Sequence, residues 1–252
     1  MKILTLDIET SPIDAYVWGL WQQNVNIAGI NNPTRMLSWA AKWYGEKEVL
    51  SMNEFDHGED NMVRGIYDLV NQADAIVGWN SKNFDMKHLN REFVERGFVP
   101  PTEYKHIDLL ATVRQQFKFP SNKLDYVAGI LLNEHKMDTG GFGLWLGCLA
   151  GDAKAWAKMV KYNVADVKLT ERMYDRLKGW IKNHPNWGLY IEDQDAPVCR
   201  NCGSEHIHKK GDEYDTTGLF AYARYKCVTC GANLRGRKSV KGKAKVSKQV
   251  LK

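Results

Sequence analysis

The sequence predicts an α/β fold, a β-sheet with helical cover, followed by a small cysteine-built module and a basic tail. Three observations carry this expectation. Short β-branched runs come early and amphipathic stretches interleave with them, the order expected when helices cover a sheet. Four of the five cysteines fall into two Cys-x-x-Cys-Gly pairs near the C-terminus. The charge is also split: from Cys199 onward 13 Lys/Arg stand against 4 Asp/Glu, whereas the preceding residues hold 22 against 26. A mildly acidic body carrying a basic C-terminal piece points to an acidic polymer as partner, most often nucleic acid.

The elements follow in order. Ile3–Glu9 alternates in the strand sense, and further strand-like runs cover Met36–Tyr44 and Glu48–Met52. Asp60–Gln72 has helical periodicity through Met62, Ile66 and Leu69, and Ala75–Trp79 reads as a buried strand. Helix resumes over Asp85–Arg96 and stops at Gly97. Further helices are expected at Leu109–Phe117, Leu124–Leu132 and, longest, Ala153–Ile181. The Gly- and Leu-rich stretch around Cys148 reads as a loop holding a packed thiol. Pro185 and the linker Glu192–Pro197 close the body. Only Lys2 and an apolar run broken at Asp7 stand at the N-terminus, which argues against a signal peptide. The longest uncharged stretch, Ala15–Thr34, holds six Asn/Gln and would not span a bilayer. The expectation is a soluble cytoplasmic protein, in which paired cysteines hold metal rather than form disulfides.

Acidic side chains recur where apolar ones are expected. On the first strand Ile3, Thr5, Asp7 and Glu9 share one face and Leu4, Leu6 and Ile8 the other. Two acids side by side at the end of a buried strand repel and are costly to desolvate, so a hard divalent cation suits the space between them. On the longest helix Met159, Tyr162, Asp166, Leu169, Met173 and Leu177 form one stripe, with a carboxylate amid apolar neighbours. Tyr162 lies one turn before Asp166 and touches the same helix surface. After the strand at Ala75–Trp79 the chain turns through Asn80-Ser81-Lys82-Asn83-Phe84 into a helix that starts at Asp85, where an acid also suits capping and the helix dipole.

Leu6-Asp7-Ile8-Glu9-Thr10, Asn80-x-x-x-Phe84-Asp85 and Tyr162-x-x-x-Asp166 resemble, in order, the three motifs of DEDD-type exonucleases with the RNase H-like fold. Tyr162, with no His in its place, resembles the tyrosine branch of that family. Lys123-Leu124-Asp125-Tyr126-Val127-Ala128, after Ile107-Asp108-Leu109-Leu110, is similar to the corresponding region of family-B DNA polymerase proofreading domains. The resemblance covers roughly residues 1–181 and includes no polymerase domain, as in free-standing nucleases of phage and bacteria. It implies a mixed sheet flanked by helices and two Mg²⁺ or Mn²⁺ ions held by Asp7, Glu9, Asp85 and Asp166, with Asp7 bridging. It further implies 3′–5′ hydrolysis of DNA at single-stranded or frayed ends, releasing nucleoside 5′-monophosphates. Tyr162, with an ordinary pKa of about 10, would stay protonated and orient the attacking water. Asn80 and Phe84 would help place the terminal nucleotide, against the plainer readings of a turn residue and a core aromatic. His106 and Lys123 are candidates for phosphate contact, and Asp108 and Asp125 stay outside the metal set.

Cys199-Arg200-Asn201-Cys202-Gly203 and Cys227-Val228-Thr229-Cys230-Gly231 are two knuckles whose four thiolates suit a tetrahedral, structural Zn²⁺ and resemble a zinc ribbon. Few apolar residues surround them, so the module is expected to need its metal to fold. Phe220–Lys226 alternates as a strand feeding the second knuckle, and His206 and His208 read as surface residues. Arg235–Lys252 contains eight Lys/Arg and no acid, and is expected to be disordered when free and drawn to phosphates. The expected division is an exonuclease domain over 1–190, a ribbon over 196–235 and a basic tail over 236–252. Nucleic acid is the expected partner through the cleft, the ribbon and the tail, with a replication or recombination protein as a further one. The rival functions are an RNA exonuclease, a structure-directed endonuclease and a catalytically silent nucleic-acid-binding adaptor.

Overall fold

The computed structural model describes residues 1–22, 24–191, 196–216 and 220–240, apart from the side chains of residues 212–216. Lys2–Tyr174 forms one compact unit, and the chain from Asp175 onward, with Met1, forms a second.

In the first unit the chain passes through β1 (Ile3–Thr10), the short hairpin strands β2 (Asp14–Ala15) and β3 (Ile30–Asn32), β4 (Met36–Trp43) and β5 (Leu50–Asn53). It continues through α1 (Glu54–His57), α2 (Glu59–Gln72), β6 (Ala75–Gly78), α3 (Asp85–Glu95) and β7 (Lys105–Asp108). The helices α4 (Leu109–Gln116), α5 (Leu124–Leu132), α6 (Gly143–Leu149) and α7 (Ala153–Leu177) complete the body. The main sheet has the order β5-β4-β1-β6-β7. β1 pairs antiparallel with β4 and parallel with β6, and β6 pairs parallel with β7. This is the mixed sheet flanked by helices that the sequence predicts.

Alternation along β1 sends Leu4, Leu6 and Ile8 into a core with Met62, Ile66 and Val70 of α2 and Leu89 and Phe93 of α3. The indole of Trp39 on β4 donates its Nε1–H to the Met62 carbonyl at 2.7 Å, which satisfies a buried donor. α3 is tied to the sheet by a carboxylate near each end. Asp85 in its first turn accepts the Ile8 N–H at 3.0 Å, and buried Glu92 accepts the Met36 N–H at 3.1 Å. Arg91 and Arg96 neutralise Glu92 at 2.7 and 2.6 Å, so its pKa lies below the ordinary range although burial alone would raise it.

Several elements differ from expectation, three of them in ways that the residues explain. β7 is a strand where only a motif was read, because Lys105–Asp108 is four residues long, lacks apolar alternation and follows Pro100-Pro101. The stretch around Cys148 is the helix α6 and not a loop; Gly143 and Gly147 lower its propensity, but Leu144 and Cys148, four apart, bury one face. α7 ends at Leu177, and a 3-10 turn over Lys178–Trp180 takes the place of the helix expected to run to Ile181. No helix among the described residues is long and apolar enough to cross a membrane.

The second unit is built on β8 (Ile207–Thr216), β9 (Ala221–Cys227) and β10 (Asn233–Ser239), antiparallel in the order β10-β9-β8. Residues 178–187 pack on the two knuckles. Asn201 donates to the Lys178 and Ile181 carbonyls at 2.8 and 3.1 Å, and a Cβ on Gly179 would lie 1.9 Å from the Cys230 carbonyl oxygen. The expected disorder from Arg235 is also corrected. Arg235 pairs with Arg224 in the β10–β9 ladder, and its guanidinium lies 4.8 Å over the Tyr222 ring, because backbone pairing and cation–π contact do not require apolar side chains. The tail over 241–252 and the linker residues 192–195 lie outside the described residues.

His184, fully buried in this unit, points Nδ1 at the Pro185 carbonyl at 2.6 Å, and burial drives its pKa down to about 4. An unfolded imidazole takes a proton near pH 6.5 and this one only near pH 4, so its contribution to stability is complete above about 6.5. That contribution, about 3 kcal/mol, is lost as the pH falls to about 4. Urea unfolding of the wild type and of His184→Gln between pH 7 and 4.5 should give a steeper acid decline in the wild type. Parallel declines would contradict the assignment.

Candidate active site

β1 lies between two partners and is buried on both faces up to Leu6; Asp7 and Glu9 follow where the strand emerges. They face α7, in register with Ala40 and Ser38 of β4. The lock between strand and helix is Asn163, which is fully buried. Its Nδ2 donates to Asp7 Oδ2 at 2.7 Å and to the Asp7 carbonyl at 3.2 Å, and its Oδ1 accepts the Ser38 hydroxyl at 3.2 Å. Sequence reasoning passed over Asn163, although its place three residues before Asp166 puts it on the same helix surface.

The α7 stripe is buried as drawn: Met159, Tyr162, Asp166, Leu169, Met173 and Leu177 are each 7% exposed or less. Asp166 meets Asp7 and Glu9, and one carboxylate oxygen of each lies within 4.8 Å of the other two. The Lys136 ammonium and the Tyr162 hydroxyl both approach Asp166, and both act to lower its pKa. The Lys136 ammonium lies 2.5 Å from Asp166 Oδ2 and 4.8 Å from the centre of the Tyr162 ring. Lys136 is the second residue missed from sequence. It sits in an irregular segment without periodicity, and Asp125 of α5 delivers it by accepting the Lys136 N–H at 2.8 Å. Asp125 itself stays outside the carboxylate cluster.

Asp85, 3% exposed, opens α3 and is held by Ile8, the residue between Asp7 and Glu9. It is not among the three carboxylates within 4.8 Å, but its charge acts on both Asp7 and Glu9. Asn80 sits at the turn with φ +65°, and its N–H, with that of Lys82, is held by the Asp108 carboxylate at 3.2 Å each. Asp108 also caps α4 through the Ala111 N–H. Phe84, 39% exposed, precedes α3 with its ring edge-on to His88. His106 binds the Ser81 hydroxyl at 2.9 Å, and Lys123 is exposed just before α5.

Burial pushes Asp7 well above the ordinary carboxylate range, and Asp85, Glu9 and Asp166 push it further. Burial likewise lifts Glu9 to about 8 and Asp85 to about 7, the latter against the hydrogen bond from Ile8, and raises Asp166. The Tyr162 hydroxyl is raised by burial and then by Asp166, so it remains a proton donor at neutral pH. Burial works against the Lys136 charge, but Asp166 and Tyr162 outweigh it and keep the ammonium protonated. Carboxylates gathered this closely and raised above all by burial fit a hard divalent cation through oxygen ligands. Asp7, Glu9 and Asp166, with Asp85 beside them, are the residues positioned to hold it.

The four thiols form the second candidate metal centre, with one sulfur of each within 4.8 Å of the others. The knuckles repeat one geometry: Gly203 and Gly231 have φ +75° and +74° and donate to the Cys199 and Cys227 carbonyls at 2.8 and 3.0 Å. These positive φ values explain the glycine behind each pair. Burial lifts the Cys199 thiol to about 11; at Cys227 burial also acts upward, but hydrogen bonds from Cys230 and the neighbouring thiols carry it down to about 7. His206 and His208 are exposed. Cys148 is buried on α6, and burial holds its thiol near 11.

Asn163 holds Asp7 through an uncharged amide donor, so it acts as a positioning residue. Asn163→Ala should weaken Mn²⁺ binding about ten- to a hundredfold while the circular dichroism spectrum is kept. Unchanged affinity in a Mn²⁺ titration would contradict that role.

No curated protein matches this chain. A family model described as the RNase H superfamily matches residues 4–178, which includes β1, the Asn80–Asp85 turn and the whole of α7. Domains of that superfamily are typically divalent-metal-dependent nucleases, and the mixed sheet with a carboxylate cluster on its central strand accords with the match. The chain belongs to the RNase H superfamily.

Proposed function

We propose that the chain is a 3′–5′ exonuclease of the tyrosine-bearing DEDD type, acting on single-stranded DNA or frayed 3′ ends and releasing nucleoside 5′-monophosphates. The observation that carries this reading is the convergence of Asp7, Glu9 and Asp166 within 4.8 Å, with Tyr162 one helical turn before Asp166. The preference for DNA rests on the likeness of residues 107–128 to polymerase proofreading domains.

Asp7, Glu9, Asp85 and Asp166 hold two Mg²⁺ or Mn²⁺ ions, which supply positive charge and Lewis acidity at the scissile phosphate. The remaining roles fall to the chain's own groups. Tyr162 keeps its proton and donates to the attacking water, fixing one lone pair along the line to phosphorus. Lys136 keeps its charge and, with Asp166 engaged as a metal ligand, would offer it to a phosphate oxygen of the substrate. Water oxygen bonds to phosphorus as it gives up one proton to bulk water, the P–O3′ bond breaks, and the 3′ oxygen takes a proton from bulk water as the new chain end. Asn80 and Phe84 help seat the terminal nucleotide. Asn163 and Ile8 keep Asp7 and Asp85 in place throughout. At the other end of the sequence Cys199, Cys202, Cys227 and Cys230 hold a structural Zn²⁺ with no open position. The ribbon and the basic tail add affinity for the phosphate backbone.

The test uses 5′-labelled oligonucleotides of DNA and RNA with free and blocked 3′ ends, in Mg²⁺, Mn²⁺ or EDTA. The expected result is a metal-dependent ladder from the free 3′ end of DNA, reduced at least a hundredfold in Asp7→Asn and Asp166→Asn. Lys136→Ala should lose activity while still binding Mn²⁺, which separates its role from that of a ligand. Cleavage that ignores the block, or survives Asp7→Asn, would overturn the proposal.

A further inference from the structure

The loop that leaves β1 exposes an unusual set of rings. Trp18 is 103% exposed, Trp21 84% and Tyr16 79%, with Leu20 and Ile27 at 88% and 84%. A monomer gains nothing by showing water so much aromatic surface in so short a segment, and such patches mark binding sites. The segment is nevertheless built. Ser11 and Arg35 close its base: the Ser11 N–H donates to the Arg35 carbonyl at 2.8 Å and the Arg35 N–H to Ser11 Oγ at 3.0 Å. Asp14 accepts from the Asn32 amide at 3.0 Å, Tyr16 N–H bonds to Gly29, and Asn26 caps the 3-10 turn Ile27–Gly29. Tyr16, Val17, Trp18, Val25 and Ala28 line an open cleft of about 530 Å³ within it.

Place and charge say what it binds. β1 and β6 run parallel, and the loop springs from the carboxyl end of β1, the end of the sheet where ligands of such sheets collect. Asp14 lies five residues beyond Glu9, at most about 18 Å of chain from the carboxylate cluster. From Ala15 to Thr34 there is no charged residue in a body that is otherwise net acidic, and six of the residues are Asn or Gln. A phosphate-gripping loop would carry lysine or arginine, and an acidic one would repel the strand. Neutral, flat and amide-rich, this one suits the bases.

We infer that the Tyr16–Trp21 segment is a stacking platform for the bases of a single strand whose end lies at the carboxylates; this rests on the nuclease reading above. Trp18 offers the most open ring. The wet amides beside it reach base edges, while phosphates are left to other surfaces. A protein partner on the same rings is the competing occupant, and it predicts no base dependence.

The test is a double-mutant cycle on the full-length, zinc-loaded protein without added Mg²⁺ or Mn²⁺, where nothing is cut. Binding of single-stranded oligonucleotides is compared with that of oligonucleotides carrying one abasic site, scanned over the ten positions from the 3′ end. Each is measured with the wild type, Trp18→Ala and Trp18→Phe. Wild type should lose roughly tenfold in Kd at one position or an adjacent pair. Trp18→Ala should show the same loss with intact DNA and none further with the abasic site, while Trp18→Phe keeps most of the affinity. The Trp18→Ala deficit should also stay constant as salt rises, since no counterion is released by stacking. Equal abasic losses in wild type and Trp18→Ala, or no effect of the substitution, would overturn the platform even if hydrolysis with Mg²⁺ is intact. Absence of hydrolysis would overturn the nuclease reading alone, because the cycle is read without it.

Discussion

The constraint on which this structure turns is the crowding of carboxylates around the end of β1. Asp7 feels burial first and then Asp85, Glu9 and Asp166 in turn, all of which act to raise its pKa. A protein that needed only stability would place an apolar residue here, as it does earlier on the same face of β1 at Ile3, which is 2% exposed. The arrangement costs folding energy unless a cation neutralises it, and such an arrangement is the mark of a site and not of a core.

Geometry is fixed separately from charge. Ile8 holds Asp85 and Asn163 holds Asp7, both through neutral N–H donors that orient an oxygen without adding a positive charge. Glu92 ties the far part of α3 to β4, so the helix that presents Asp85 is fastened at two points. Cationic charge comes to Asp166 from Lys136, on a segment anchored by Asp125 and outside the sheet and α7. The scaffold thus orients carboxylate oxygens through its own hydrogen bonds, which is what preorganised binding requires. The thiol site is built the other way. Its small core is largely the cysteines themselves with Ala232, Ile207 and Leu234, so there the metal would be the centre of the packing.

Periodicity made much of this legible. The α7 stripe singled out Asp166 because one carboxylate broke an apolar row, and the buried row is what the structure shows. Alternation put Asp7 and Glu9 on one face. Asp85 was less visible, since an acid at a helix start has an ordinary explanation, and its pairing with Ile8 lies 77 residues away. Lys136 had no local signal at all: it depends on a turn set by Asp125 and on a contact across 30 positions. β7 was hidden because an edge strand of four residues offers too few positions to show alternation, and β10 because charge was read as a sign of disorder while the ladder depends on backbone pairing. The aromatic loop after β1 was read only for what its Asn and Gln exclude, because exposure of a tryptophan is a property of the fold.

The account rests on the carboxylates being a divalent-metal centre. Anomalous diffraction from crystals soaked in Mn²⁺ tests that directly. The prediction is manganese bound by oxygens of Asp7, Glu9 and Asp166, with Asp85 alongside and Lys136 moved off Asp166. A map without manganese there, with the Lys136–Asp166 ion pair kept at millimolar Mn²⁺, would contradict it.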